Sequence, residues 1–339
     1  MPLLKQNVQL KPYNTFGLAA TARFWLEIDS EQAAIEFLSD NMHGEEPLLI
    51  LGGGSNVLLT GDFDGVVLHN RILGKEIVGE DEQFVWVKSG SGENWHQFVL
   101  FCIENGWGGI ENLSLIPGSV GAAPIQNIGA YGVEIKDVLD HLEAIHIRTG
   151  EIHTFTNAGC HFGYRDSIFK QDCKGEFMIT RVVFRLSKYP VINTAYGAIA
   201  EELAAIPGPH GIREVSDAVI RIRQSKLPDP AEIGNAGSFF KNPVVDAHVF
   251  ARIQSEYPQV PSFPAEEGQV KIPAAWLIQT CGWKGYREND FGVHKNQALV
   301  LVNYGQAKGS ELLALSTRIM DSVKEKFDVS LEREVNVIG

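Results

Sequence analysis

Three kinds of segment in this 339-residue chain carry residue types and spacings suited to chemistry. The first is LGGGSN at 51–56, where Gly52, Gly53 and Gly54 precede Ser55 and Asn56. Consecutive glycines let several main-chain N–H groups converge on an anion, as in phosphate-cradling nests. The spacing is neither G-x-G-x-x-G nor a Walker A loop, and a tight turn between strands would use the same glycines. The second is PGSVGAAPIQNIGAYG at 117–132. Its small residues, Gly118, Gly121, Ala122, Gly129, Ala130 and Gly132, would let a flat aromatic ligand lie against the main chain beside Val120 and Tyr131. Ser119, Gln126 and Asn127 are at hand to hydrogen-bond it. A packed structural loop can also be built of small residues, but two such segments in one chain favour a nucleotide cofactor.

The third kind is the single polar residue in a distinctive setting. Arg165, in FGYRDSIFK, offers a guanidinium for a bidentate carboxylate clamp or for an ion pair with Asp166 or a distant acid. Ser238, in NAGSFFKNP, has no G-x-S-x-G elbow around it, which leaves a loop hydroxyl and no hydrolase nucleophile. Glu334 alternates with apolar residues in LEREVNVI and reads as a solvated carboxylate on a strand's outer face. Arg221, Arg223 and Lys226 cluster near the end of an expected helix, where the helix dipole alone accounts for cations. His141, His146, His153 and His161 lack ligand spacing, and the four cysteines form no C-x-x-C pair, so no metal site and no disulfide framework are expected.

The elements that must position these residues read as mixed α and β. FWLEI, EQAAIEFLSD and PLLIL form a strand–helix–strand unit running into the glycine loop, followed by strands at GVVLH and FVWVKSG. A helix is expected over 92–105, stopped by Gly106, and a β-hairpin around Thr149-Gly150, with a further strand at FMITRVVFRLSK. From Tyr196 the chain turns helical, Val215, Val219 and Ile222 share a face, and Pro228-Asp229-Pro230 ends the run. Helices near 247 and 275, a strand ALVLVN, a helix from Ser310 to about Phe327 and a last strand SLEREVNVI complete the chain.

Composition bounds the partners. With 44% hydrophobic and 21% charged residues the chain is an ordinary globular one, long enough for two or three domains. Its 42 acidic against 29 basic residues give a net charge of −13, which disfavours nucleic acid while leaving small anions open through one local basic pocket. Without an apolar signal region or a membrane-length run, a cytoplasmic, non-membrane protein is expected.

Taken together, NTFG, LGGGSNVLL, IPGSVGAAPIQNIGAYG, FGYRDSIFK, RQSKLPDP, NAGSFFKNP and LEREV, in this order, resemble the UDP-N-acetylenolpyruvoylglucosamine reductases of bacterial peptidoglycan synthesis over nearly the whole chain. The resemblance implies an α+β fold, with an FAD-binding domain of the vanillyl-alcohol-oxidase type followed by a smaller substrate-binding domain. Mapped here, that means FAD subdomains at 1–70 and 71–210, a substrate-binding domain at 211–327 and a C-terminal strand at 328–339 returning to the active site. It further implies noncovalent FAD on the two glycine-rich segments, NADPH as hydride donor, and a monomer. The same resemblance makes Arg165 the residue that polarises the enolpyruvyl carboxylate, Ser238 the proton donor to carbon 2 and Glu334 a stabiliser of the enol. Lys226 would reach the UDP diphosphate, with Tyr164, Tyr196, Asn242 and Gln297 as further substrate contacts. The chain departs from the pattern at Phe263, where several relatives have tyrosine, and at Arg333 and Asn336, where many have proline and a basic residue. Two rivals are a flavin oxidase of the same fold and a non-catalytic nucleotide-sugar sensor. RQSKLPDP and NAGSFFKNP speak against the first, and the trio Arg165, Ser238 and Glu334 against the second.

Overall fold

Burial on both faces favours the apolar runs VVLH and LLIL as neighbours in a parallel pair, and they are found so. The computed structural model describes residues 4–39 and 44–339. Lys5–Gln9, Thr21–Ile28, Phe63–Asn70 and Leu48–Leu51 form a four-stranded sheet in that order, the last two strands parallel with Leu51 opposite His69. A parallel pair needs a crossover, and residues 52–62, which include the glycine loop, supply it. The helix Glu31–Ser39 buries Ala34, Phe37 and Leu38 in a core with Leu26, Ile28, Val66 and Leu68. Asp40, the expected last helical residue, lies outside the described residues, as do the first three of the N-terminus.

A second sheet is antiparallel, ordered Ile152–Thr156, Leu139–His146, Phe177–Ser187, Phe84–Gly90, Lys75–Glu80, and contains the expected hairpin. The helix covering it spans Trp95–Glu104, shorter than the expected 92–105, because Asn94 caps its first turn by accepting from the Gln97 N–H at 3.0 Å. Trp95, Phe98, Val99 and Cys102 meet Val85, Val87, Phe184 and Leu186 in the largest core of this region. Residues 111–126, too apolar for a linker, form short 3₁₀ turns at Glu111–Leu113, Val120–Ala122 and Pro124–Gln126.

The chain separates into two compact units, one of Met1–Val8, Ala22–Gly53 and Asp64–Ser225, the other of Gln9–Thr21, Gly54–Phe63 and Lys226–Gly339. The cuts fall differently from the sequence boundaries at 70 and 211. The helix Ile212–Lys226 goes with the first unit up to Ser225: buried Ser216 places its Oγ 2.7 Å from that of buried Ser114, and Arg223 Nε donates to Leu115 O at 3.2 Å. Residues 9–21 and 54–63 go with the second because Thr15 donates through its N–H to Gly54 O at 3.1 Å and through Oγ1 to Asn235 O at 2.6 Å.

Within the second unit, Gly234–Asn235, Leu301–Asn303, Phe291–Val293 and Arg287–Glu288 form one sheet, and Val244–Asp246, Gln269–Lys271 and Phe263–Pro264 another. The helices Ala247–Glu256, Ala274–Thr280 and Gly309–Phe327 pack around Phe239, Phe240, Leu277, Leu315 and Ile319. The final segment is not the single continuous strand that its alternation suggests. Only Asn336–Ile338 forms a strand, parallel to Val57–Leu59, while Arg333 bridges to Phe240. A bend at Val335 separates the two because the segment changes partner there.

Candidate active site

In the first unit the two glycine-rich segments meet main chain to main chain. A Cβ on Gly52 would stand 2.3 Å from Ser119 Oγ, and one on Gly53 3.2 Å from Gly118 Cα. The start of the second segment is stapled down by the Val120 N–H to Glu93 O (2.9 Å) and the Gly121 N–H to Ser91 O (2.8 Å). Gly54, which counts with the second unit, is required for a different reason: its φ of +60° is left-handed and a Cβ would lie 2.0 Å from Tyr13 O.

Asn127, expected as a ligand contact, is fully buried, and its side chain works inside the fold. Its Nδ2 donates to Glu134 Oε2 (3.1 Å) and Gly163 O (2.9 Å), and its Oδ1 accepts the Lys136 N–H at 3.1 Å. That anchors Gly163, whose N–H and C=O pair with those of Asp166 in a tight turn with Tyr164 and Arg165 at its tip. Arg165 has a left-handed φ of 53°, as do Leu115 (58°), Asn127 (44°), Tyr131 (51°) and His161 (46°) of the same unit. Such backbone in residues with a Cβ is strained and collects at functional sites. The Arg165 guanidinium donates from Nη2 to Gly129 O at 2.6 Å and lies 5.6 Å from the Tyr164 ring centre.

Arg223 is the residue that sequence reasoning grouped with its neighbours and the structure sets apart. Arg221 pairs with exposed Glu202 at 2.9 Å and Lys226 is exposed at the helix end. Arg223, four residues after buried Val219, points along the buried stripe, shares a hydrogen bond with the Tyr131 hydroxyl and has no carboxylate partner among the described residues. The helical spacing carried that signal, but cations at a helix end invite the dipole explanation first. Burial lowers the Arg223 pKa and raises that of Tyr131, and Arg165 adds repulsion to Arg223. His96 accepts the Leu115 N–H through Nδ1 at 3.0 Å, and burial, helped by Arg223, lowers its pKa and favours the neutral ring.

The ring of Tyr196 meets Tyr131 edge-on at 5.2 Å. Asn112 donates from Nδ2 to Tyr131 O and Asn193 O, both at 3.0 Å, while its buried Oδ1 has no hydrogen-bond partner among the described residues. An orphaned buried acceptor, a guanidinium without a carboxylate and two main chains in close approach suit a flat anionic cofactor with N–H groups. FAD has that chemistry, and the residues present fit it.

In the second unit, residues 239–241 zip against 332–334. The Lys241 N–H donates to Glu332 O (2.9 Å), the Glu334 N–H donates to Phe239 O (2.9 Å), and Phe240 bridges Arg333. Glu334 is therefore opposite Phe239, one residue from Ser238. Ser238 is exposed between the left-handed Gly237 and the buried pair Phe239 and Phe240, and the turn before it is held by Asn235, whose Oδ1 accepts the Gly237 N–H at 2.9 Å. Glu334 is half-buried, not on an outer face. Asn56, expected on the cofactor, donates from Nδ2 to Glu334 O at 3.3 Å. Asn242 accepts the Ala274 N–H through Oδ1 at 2.9 Å, and Gln297 accepts the Leu299 N–H through Oε1 at 3.3 Å. Arg165, Tyr164 and Tyr196 belong to the first unit; Ser238, Glu334, Lys226, Asn242 and Gln297 belong to the second.

The sheet-and-helix unit with its paired glycine segments is matched over residues 24–156 by an FAD binding domain model, which puts the chain in the class of FAD-binding oxidoreductases. The model for the UDP-N-acetylenolpyruvoylglucosamine reductase C-terminal domain matches 229–338. The reductases of that name from Flavobacterium johnsoniae and Amoebophilus asiaticus are each 52% identical to this chain, covering 99% of it and 99% of their own length. A crystal structure of the Thermus caldophilus UDP-N-acetylenolpyruvylglucosamine reductase superposes with a TM-score of 0.68 at 25% identity, covering all of both chains. The chain belongs to the UDP-N-acetylenolpyruvoylglucosamine reductase family. Among the described residues, no helix is long and apolar enough to cross a membrane.

Proposed function

We propose that the protein reduces the enolpyruvyl ether of UDP-N-acetylglucosamine to UDP-N-acetylmuramate with NADPH, as a cytoplasmic monomer making a peptidoglycan precursor that serves cell shape and division. The observation that carries this reading is the ladder of 239–241 on 332–334, which brings a hydroxyl loop and a half-buried carboxylate together in a chain of this family. A diphosphate sensor would need neither.

FAD, when bound, supplies the hydride path from NADPH to carbon 3 of the enolpyruvyl group. The chain's own residues do the rest. Gly52, Gly53 and the 118–132 segment seat the cofactor, with Arg223 and Arg165 contributing positive charge. Arg165 clamps the substrate carboxylate, and Glu334 helps stabilise charge developing at carbon 2, both preorganised electrostatic roles. Ser238 gives its proton to carbon 2 as general acid. Lys226, exposed and without a carboxylate partner among the described residues, takes the diphosphate. Tyr164, Tyr196, Asn242 and Gln297 complete the nucleotide-sugar contacts.

The purified protein should be yellow, lose its colour with NADPH under anaerobic conditions and regain it when the enolpyruvyl nucleotide sugar is added. Acid precipitation should leave the colour in the supernatant, since no covalent link is expected. A colourless preparation that FAD does not reconstitute, or colour that bleaches and does not return with substrate, would sink the proposal. Lys226→Ala should keep normal flavin content yet bind substrate about ten- to a hundredfold more weakly, the worth of one charge-assisted contact of roughly 1.5 to 3 kcal/mol. A substrate titration of the visible spectrum reads this, and an unchanged midpoint would return Lys226 to the role of a helix-end cation.

A further inference from the structure

Arg333 is held in a way that its immediate surroundings do not require. Its Nε donates to Ser316 Oγ at 2.7 Å and its Nη2 donates to Thr317 Oγ1 at 2.7 Å, both on the helix Gly309–Phe327. Ser316 is fully buried on the core side of that helix, among positions that are otherwise mostly apolar. Its hydroxyl donates back to Leu313 O at 2.7 Å and so presents its lone pairs to Arg333. On the other side, Lys241 forms an ion pair with Glu332. One residue beyond Arg333, the Glu334 N–H is tied to Phe239 O and the Glu334 C=O receives Asn56 Nδ2, while the N–H and Nδ2 of Asn336 both donate to Asn56 O at 3.1 Å. Glu334 thus sits between two fixed points, the helix through Arg333 and residue 56 through Asn336, with the bend at Val335 between them.

We infer that Arg333 is a positioning residue for the reaction: its fork on Ser316 and Thr317 fixes the register of 332–334 on 239–241, and so holds the Glu334 carboxylate and the Ser238 loop in working alignment. The inference rests on the proposed roles of Glu334 and Ser238. Its physical basis is that one anchored residue in an otherwise short ladder removes the sliding freedom left by only two main-chain hydrogen bonds. A side chain displaced by about 1 Å from the reacting geometry loses on the order of a hundredfold in rate. Arg333 touches no substrate in this account, and its effect passes wholly through the segment.

Stopped-flow measurement of the two half-reactions on the holoenzyme tests it. Arg333→Met should leave bleaching by NADPH at the wild-type rate and slow recolouring by substrate about ten- to a hundredfold, with Arg333→Lys recovering part of the loss. Ser316→Ala, which removes the acceptor without touching the active segment, should slow recolouring in the same selective way. The double variant should be no slower than Arg333→Met alone, since both changes remove one interaction. Should Arg333→Met fail to fold, Ser316→Ala carries the test. Wild-type recolouring in Arg333→Met or Ser316→Ala, or equal slowing of both halves, overturns the inference. Glu334→Gln separates it from the reading beneath: normal recolouring in Glu334→Gln overturns the role of Glu334 and the brace with it, whereas slow Glu334→Gln with normal Arg333→Met and Ser316→Ala overturns only the brace.

Discussion

Ser238→Ala should leave NADPH bleaching the protein at close to the wild-type rate and slow the return of colour with the enolpyruvyl substrate by about a hundred- to ten-thousandfold. The two halves separate because the hydroxyl has no part in delivering hydride from nicotinamide. It matters once carbon 2 becomes basic and needs a donor in place. The structure favours a positioned donor: Phe239 and Phe240 are buried on one side of Ser238, and Gly237 is held by Asn235 on the other. The backbone of the loop therefore survives loss of one exposed hydroxyl, and the variant should keep its flavin and fold. Ser238→Cys, with a donor at nearly the same place, should recover part of the rate. Equal slowing of both halves, or of neither, would make Ser238 a loop residue and leave Glu334 as the next candidate acid.

Arg165→Lys should cost about a hundred- to a thousandfold in the same recolouring step, the usual worth of a donor aimed at developing charge. Lysine keeps the charge, and it tolerates the left-handed backbone no worse than arginine, so the change isolates the fork geometry. A guanidinium presents its N–H groups as a planar fork that matches a carboxylate, here oriented by donation to Gly129 O at 2.6 Å, whereas an ammonium at the same place is a point charge. Flavin content should stay normal. Loss of flavin with an unchanged recolouring rate per bound cofactor would instead make Arg165 a scaffold residue for the turn at 129–134.

The periodic elements and the chemistry of most segments were legible in the sequence. Apolar spacing located the helix Glu31–Ser39, the hairpin around Thr149-Gly150 and the helix Gly309–Phe327, because burial periodicity is a local consequence of side-chain type. Glycine clusters marked where the two segments approach, since a Cβ on Gly52 would collide with Ser119 and one on Gly53 would crowd Gly118. Partner choice was not legible. Asn56 and Asn127 stand in ligand-like motifs, yet one amide holds Glu334 O and the other holds Gly163, because an amide looks the same in sequence whether its partner is a ligand or distant main chain. Nor did alternation in LEREVNVI show that this segment divides its main-chain to main-chain hydrogen bonds between Phe239 and Lys241 before Val335 and the strand Val57–Leu59 with its flanking residues after it. Arg223 and Arg333 make the same point with charge. Three arginines in or near helices and strands are equivalent as composition, but only the fold decides that Arg221 meets a surface carboxylate, Arg223 a half-buried tyrosine and Arg333 two helix hydroxyls. Local sequence determines which backbone shapes and residue types are available. Tertiary structure decides which of them meet, because hydrogen bonds and charges are satisfied by proximity in space and not by neighbours in the chain.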